Sequence, residues 1–194
     1  MPEIEKQWIK MAKSGDVDSF ERLIENSRSK AYAIVLRYLQ NEEDAMDALQ
    51  ESYIKIYRSL KNFKEESSFD TWVYRIVVNT CNDALRKNGK YKSNVSIYRN
   101  DENKTESIME FSDLSNSPEI VLEKKEKMAL ILSCLSKLPS DQREAFELRD
   151  RDGFSYEEIS KILNCSLGTV KSRISRARIS LRQQIIETRE LNRE

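Results

Sequence analysis

Residues 155–182 read SYEEISKILNCSLGTVKSRISRARISLR, and this stretch decides the fold of the C-terminal part of the chain. Its first half carries apolar side chains at helical spacing: Tyr156, Ile159, Ile162 and Leu163. Asn164 and Cys165 end that helix, and Ser166 is placed to cap a second one. The second helix has its own apolar stripe: Val170, Ile174, Ala177 and Leu181. The pattern therefore predicts a helix, a tight turn and a helix.

The rest of the second helix is basic. Its cations are Lys171, Arg173, Arg176, Arg178 and Arg182, and no acidic residue lies between Gly168 and Arg182. The small polar residues Thr169, Ser172 and Ser175 lie among them. A basic helix taken alone is equally well a solvated face. A basic helix that follows a short helix and a turn favours DNA recognition in the major groove, with contacts to phosphates and base edges.

Composition limits the class of protein. The 194 residues suffice for one or two small domains, and 33 basic residues balance 33 acidic ones, so net charge says nothing about nucleic acid. Three separated cysteines, Cys81, Cys134 and Cys165, and the absence of histidine argue against disulfides and zinc sites. We expect no metal, no cofactor and no catalytic residues, because neither a nucleophile–base set nor a phosphate-binding glycine loop is present.

The N-terminal sequence predicts location. MPEIEKQWIKMAK has no apolar core of a signal peptide, and no apolar run approaches the length that spans a membrane. The expectation is a soluble cytoplasmic protein without membrane insertion.

Four helices are predicted in the first ninety residues: about 2–13, about 16–39, 42–60 and one from residue 69. Asn41 is a good N-cap, and capping explains the acidic run at 42–44 better than a metal site does. The 42–60 helix has two faces. The predicted core stripe is Met46, Leu49, Tyr53, Ile56, Tyr57 and Leu60. The second face, called here the 47–54 face, consists of Asp47, Gln50, Glu51 and Ile54, and it is either plain surface or a docking face for a partner helix.

The sequence of residues 62–70 predicts a loop. The helix after it combines an apolar stripe with a polar strip that includes Arg75 and Asn79. Trp72 and Tyr74 lie beside that strip in the sequence. Aromatic rings stack on any unpaired base and amides bind base edges, so this region could bind single-stranded nucleic acid. The alternative is that Trp72 belongs to the core.

The composition changes at about residue 90. Residues 90–118 contain few apolar side chains and no period, which predicts a flexible linker. Helices are then predicted from Pro118 to about Lys137 and, capped by Ser140, from Asp141 to about Arg151. We therefore predict an all-α chain of two small helical domains joined by a flexible linker, at 1–90, 91–117 and 118–194. The C-terminal domain contains the helix-turn-helix.

Three separate blocks resemble a known family: DALQE at 47–51, F-x-T-W-x-Y-R-I-x-x-N from Phe69, and G-T-V-K-S-R-x-x-R-A-R from Gly168. In that order, and separated by a polar linker, they are similar to bacterial RNA polymerase sigma factors of the extracytoplasmic-function group. The resemblance implies sigma region 2 in the first domain and region 4 in the last, and a factor that initiates transcription without catalysing a reaction.

The resemblance also implies roles for particular residues. The 47–54 face would bind a coiled coil of core RNA polymerase. The minus-ten element would be read and opened, as single-stranded DNA, by Phe63, Ser67, Ser68, Phe69, Trp72, Tyr74, Arg75 and Asn79. The minus-thirty-five duplex would be read by Thr169, Lys171, Ser172, Arg173, Arg176 and Arg178. An anti-sigma factor as inhibitor is implied by the resemblance alone. The alternatives are a dimeric helix-turn-helix regulator that acts without polymerase, and an adaptor that binds only proteins.

Overall fold

A computed structural model of the chain describes residues 3–87 and 118–191, so the predicted linker at 91–117 lies outside the described residues. The helices are α1 Glu3–Lys13, α2 Val17–Leu39, α3 Glu42–Ser59, α4 Phe69–Lys87, α5 Pro118–Ser136, α6 Ser140–Phe146, α7 Tyr156–Ile162 and α8 Leu167–Leu191. A 3₁₀ turn, Leu60–Asn62, follows α3, and a π-helical turn, Glu147–Arg151, follows α6. No strand occurs in these two ranges, which confirms the all-α prediction.

The chain forms two compact units. Of the described residues, one unit contains 3–87 and 148–170, and the other contains 118–147 and 171–191. The domain boundaries predicted at 90 and 118 stay a prediction. In neither described range is any helix long and apolar enough to cross a bilayer.

Helices α1 to α4 bury one apolar core in the first unit. Its fully buried large side chains include Ile9, Ile34, Val35, Ile56, Phe69, Val73 and Val77. These positions recur at helical spacing within each helix, so the sequence pattern and the burial agree. Burial of such side chains is the main favourable contribution to folding.

Two residues expected in this core are exposed instead. Met46 is 54% and Tyr57 is 42% exposed, so their assignment to the core stripe of α3 was wrong. The buried face of α3 contains the small residues Ala45, Ala48 and Ser52 beside Leu49 and Ile56. Small side chains allow neighbouring helices to approach closely, and a search for large apolar residues overlooks them.

Glycine and side-chain caps form the turns between the first helices. Gly15 has φ +104°, a left-handed conformation that glycine adopts without strain, and the Asp16 carboxylate then accepts a hydrogen bond from the Ser19 amide at 3.0 Å. Asn41 caps α3 as predicted, because its Oδ1 accepts from the amides of Glu43 at 2.8 Å and Asp44 at 3.1 Å.

Replacing Asn41 with alanine is expected to destabilise the protein by about 1 kcal/mol, since two helix amides lose their acceptor. Urea unfolding followed by circular dichroism measures the effect. Asn41→Asp keeps the acceptor oxygen and should remain close to wild type. Equal stability of the alanine and aspartate variants would contradict this role for the side chain.

The second unit has a smaller core on α5 and α8. Cys134, Leu135, Leu138, Ala177 and Leu181 are its buried members. Sequence analysis placed Ser140 as the N-cap of the next helix, but Ser140 is already the first residue of α6. The cap position belongs to Pro139, whose ψ of 139° is non-helical and which offers no side-chain acceptor.

Candidate nucleic-acid interface

Helix α8 separates an apolar stripe from a basic surface, as the sequence predicts. All four stripe residues are buried: Val170, Ile174, Ala177 and Leu181. Lys171, Arg176 and Arg178 are exposed, and Ser172 and Arg173 are partly exposed. The cations therefore face away from the buried side of their own helix, where a phosphate backbone can reach them.

The turn between α7 and α8 is fixed by hydrogen bonds of Ser160 on α7 and of Ser166 in the turn. Asn164 adopts a positive φ of 49°, and the Ser160 hydroxyl donates to the Cys165 carbonyl at 2.6 Å. Ser166 then caps α8 by accepting from the Thr169 amide at 3.1 Å, as predicted. The Ser166 and Thr169 hydroxyls are also hydrogen-bonded to each other at 2.8 Å. The predicted helix, turn and helix are therefore confirmed.

Arg173 has a protein partner that the sequence did not indicate. Its Nε lies 3.1 Å from Oδ2 of Asp141, at the start of α6, and the two side chains are 25% and 48% exposed. A pair this open to water contributes little to stability. It does restrict the directions in which the guanidinium of Arg173 can point.

Three of the aromatic residues assigned to the minus-ten region form a buried cluster. The ring centroids of Phe63 and Trp72 are 5.0 Å apart, those of Phe63 and Phe69 are 5.7 Å apart, and those of Phe69 and Trp72 are 5.8 Å apart. Their exposures are 4%, 1% and 8% for Phe63, Phe69 and Trp72, in agreement with the alternative that placed Trp72 in the core. Lys13 of α1 donates to the Phe63 carbonyl at 2.8 Å, so the loop at 63–68 starts from an anchored position.

Other residues of the predicted minus-ten region are polar and open to solvent. Arg75 and Asn79 are exposed one turn apart on α4, and Ser67 and Ser68 lie in the loop before it. The Ser68 hydroxyl accepts from the Thr71 amide at 3.1 Å, so Ser68 caps α4. Tyr74 differs from this group, because it is only 4% exposed.

The four residues of the 47–54 face are all exposed: Asp47, Gln50, Glu51 and Ile54. Glu51 accepts from Lys55 at 2.9 Å, and this hydrogen bond holds the pKa of the Glu51 carboxyl below its usual value. Beside Gln50 and Ile54 lies an apolar cleft of about 270 Å³. The 47–54 face therefore exposes the aliphatic side chain of Ile54 together with two carboxylates, and an apolar cleft lies beside it.

Sequence reasoning missed part of this cleft. Its other lining residues are Phe20, Tyr53, Tyr57 and Arg58, and the rings of Phe20 and Tyr57 meet edge to face with centroids 5.0 Å apart. Tyr57 could have been found from its three-residue spacing to Ile54 on α3. Phe20 lies on α2, and nothing in the sequence pairs it with α3.

Two family models match separate parts of the chain. The model described as "Sigma-70 region 2" matches residues 23–91, and the model described as "Sigma-70, region 4" matches residues 128–181. The two matches cover α3 and α4 in one case and the helix-turn-helix in the other.

Curated relatives match almost the whole chain. The RNA polymerase sigma-H factor of Pseudomonas aeruginosa is 34% identical over 176 residues, which is 91% of each chain. The ECF RNA polymerase sigma-E factor of Escherichia coli strain K12 is 35% identical over 177 residues, covering 91% of this chain and 92% of the other.

Solved structures share the fold. CnrH, in a complex with the cytosolic domain of CnrY, superposes with a TM-score of 0.64 at 22% identity and covers 95% of this chain and 99% of its own. The sigma factor RpoE of Bartonella quintana, in a complex with the anti-sigma factor NepR, gives 0.61 at 25% identity, with 86% and 96% covered. Family models, near full-length relatives and fold agree, and the chain belongs to the ECF group of sigma-70 RNA polymerase sigma factors.

Proposed function

We propose that this protein is a transcription initiation factor that binds core RNA polymerase and directs it to specific promoters, where it recognises and opens the DNA. The observation that carries the proposal is that one chain presents both an exposed docking face on α3 and an exposed basic surface on α8. The protein acts by binding, and makes and breaks no covalent bond. Its place of action is the cytoplasm, where polymerase and promoter DNA meet.

The proposed division of labour follows the family matches along the chain. Residues 1–90 act as the region 2-like domain, residues 91–117 as a linker, and residues 118–194 as the region 4-like domain. Two DNA-binding domains on one tether bind two separated promoter elements, and each adds to the affinity of the other through effective concentration.

Core polymerase binding is assigned to the 47–54 face. An exposed Ile54 beside an apolar cleft offers the small, desolvated centre that dominates the binding energy of most protein interfaces. Asp47 and Glu51 form a charged rim, which favours a basic partner helix and fast association. Phe20 and Tyr57 extend this interface beyond the residues that the sequence suggested.

Opening of the minus-ten element is assigned to the loop at 63–68 and to α4. Unstacking a base step costs a few kcal/mol, which contacts to the flipped base and the free strand must repay without ATP. Arg75 and Asn79 supply exposed polar groups for this strand, and Ser67 supplies a partly exposed one. The buried cluster of Phe63, Phe69 and Trp72 supports the loop from below.

Recognition of the minus-thirty-five element is assigned to the first turns of α8. Thr169 and Ser172 stand near its N-terminus, where a recognition helix reaches base edges. Lys171, Arg173, Arg176 and Arg178 supply the cations for phosphates and for guanine edges.

Purified core polymerase with and without this protein tests the proposal. Co-elution in gel filtration and a run-off transcript that appears only with the protein are the expected results. A dimeric helix-turn-helix regulator would instead bind a two-fold operator without polymerase, and an adaptor would not bind DNA. Either behaviour would contradict the assignment.

Arg176→Ala is expected to weaken promoter binding and to lower the salt slope by about one unit, since one phosphate contact is lost. Fluorescence anisotropy with duplex minus-thirty-five DNA at several salt concentrations gives both quantities. Arg28→Ala removes another exposed arginine, from α2, and serves as the control. An unchanged slope for Arg176→Ala would argue against groove contact by this side chain.

An inhibitory anti-sigma factor is proposed as a further partner. The support is that one structure sharing the fold, RpoE of Bartonella quintana, was solved with an anti-sigma factor bound. Co-purification of this protein with a bound polypeptide that blocks run-off transcription would identify such a partner.

A further inference from the structure

A buried ion pair joins two distant parts of the first unit. Arg37 on α2 donates from its two terminal nitrogens to the two carboxylate oxygens of Asp152, at 3.1 and 2.6 Å. The side chains are only 7% and 9% exposed, although 115 residues separate them in the sequence. A two-point contact of this kind fixes orientation as well as distance.

Lys30, about two helical turns before Arg37 on α2, adds to the same contact. Its ammonium donates to the Asp152 carbonyl at 2.6 Å and lies 3.7 Å from the ring centroid of Phe154. Phe154 in turn meets the ring of Tyr74 edge to face, with centroids 5.1 Å apart. Gly153, with φ +77°, makes the turn that lets Asp152 and Phe154 both reach these helices. The burial of this site lowers the pKa of Lys30 and raises that of Tyr74.

Helix α7 contacts the loop that precedes α4. The Thr71 hydroxyl donates to Glu158 at 3.2 Å, and the Lys161 ammonium donates to the Glu66 carbonyl at 2.6 Å. The Glu158 carboxylate is held in place because it also accepts from the Ser155 amide and hydroxyl, both at 2.8 Å. Residues 148–162, called here the 148–162 segment, therefore contact α2, α4 and the loop at 63–68.

These contacts engage part of the region to which strand capture is assigned, while Arg75 and Asn79 remain exposed. Tyr74 is buried under Phe154, Thr71 is engaged by Glu158, and the backbone of the loop is engaged by Lys161. Resting on the proposed function, we propose that the 148–162 segment is an internal competitor of the promoter strand, with the Arg37–Asp152 pair as its latch. In the closed chain, Arg37 binds the Asp152 carboxylate and Lys30 binds the Asp152 backbone carbonyl.

The contact combines polar and apolar groups. Its charged and polar members are solvated well by water once the contact opens. Its apolar members, Phe154, Ile159 and Ile162, are buried and resist opening, so the ion pair is the part of the contact that a single substitution can remove without a cavity in the core. Loss of one partner, in contrast, leaves a buried charge without its counterion and favours the open state. The apparent affinity of a ligand that binds only the open state equals its intrinsic affinity multiplied by the fraction of molecules that are open.

The test compares full-length variants by two measurements. Hydrogen exchange read by mass spectrometry reports whether α7 and the first turns of α4 are protected. Fluorescence anisotropy reports the affinity for a labelled non-template single strand, taken from a promoter mapped by run-off transcription. The variants are Asp152→Ala, Arg37→Asp and the exchanged pair Arg37→Asp/Asp152→Arg. Glu157→Ala removes an exposed carboxylate from α7 and is the matched control.

In both Asp152→Ala and Arg37→Asp, the backbone amides of α7 should exchange faster than in the wild-type protein. Both variants should also bind the strand roughly ten-fold more tightly, as expected when a dominant closed state is lost. The exchanged pair should restore wild-type protection and affinity, and Glu157→Ala should change neither. Wild-type exchange and affinity in Asp152→Ala would overturn the inference. If the double variant exchanged as fast and bound the strand as tightly as the single variants, the ion pair would not be the latch. Faster exchange in Asp152→Ala with no strand binding by any variant would count against the proposed function and leave the closure supported.

Discussion

Replacing Ile54 with aspartate is expected to abolish stable binding to core polymerase while the protein stays folded. Ile54 is 44% exposed on α3 and borders the apolar cleft, so a charge there meets the desolvated centre of the proposed interface rather than the protein core. Residues at such centres contribute about 2–4 kcal/mol to binding, which is a loss of thirty-fold or more. Titration of labelled protein with core polymerase measures the change.

The control is a similar aliphatic side chain outside the cleft. Ile4 on α1 is 55% exposed, and Ile4→Asp should bind polymerase as well as wild type does. Phe20→Ala should weaken binding, because Phe20 lines the same cleft. Equal affinity of Ile54→Asp and Ile4→Asp for polymerase would remove the 47–54 face from the interface.

Replacing Trp72 with alanine is expected to destabilise the protein by about 3–5 kcal/mol, the usual cost of removing a large aromatic side chain from a core. Trp72 is 8% exposed and contacts both Phe63 and Phe69, so the lost side chain leaves a cavity under the loop at 63–68. Urea unfolding gives the stability change, and single-strand affinity is measured below the unfolding transition.

Arg75→Ala is the companion variant, because Arg75 is exposed four residues before Asn79 on the same helix. It should leave stability within about 0.5 kcal/mol of wild type and weaken strand binding. If Trp72→Ala were as stable as wild type and yet lost strand binding, Trp72 would have to be a stacking residue that leaves the core, contrary to the role assigned here.

The helix-turn-helix could be predicted from sequence because its signals are local. Ser166 caps α8 and the stripe of Val170, Ile174, Ala177 and Leu181 is buried, since a helix repeats its faces every three to four residues wherever it packs. The same period separated the 47–54 face from the buried side of α3. The period wrongly placed Met46 and Tyr57 in the core, because the small residues of α3 decided which side of the helix is buried.

The sequence by itself determined the helices, most of their caps, the basic surface of α8 and the family, because each depends on residues within a few turns of one another. Only the tertiary structure decided which side chains meet across long separations: Phe20 with Tyr57, Arg173 with Asp141, and Arg37 with Asp152. Helical periodicity states which face of a helix is apolar, but it carries no information about which other helix packs on that face. That choice depends on the packing of the whole unit, and it is this packing that placed an acid from residue 152 against the helix that precedes α3.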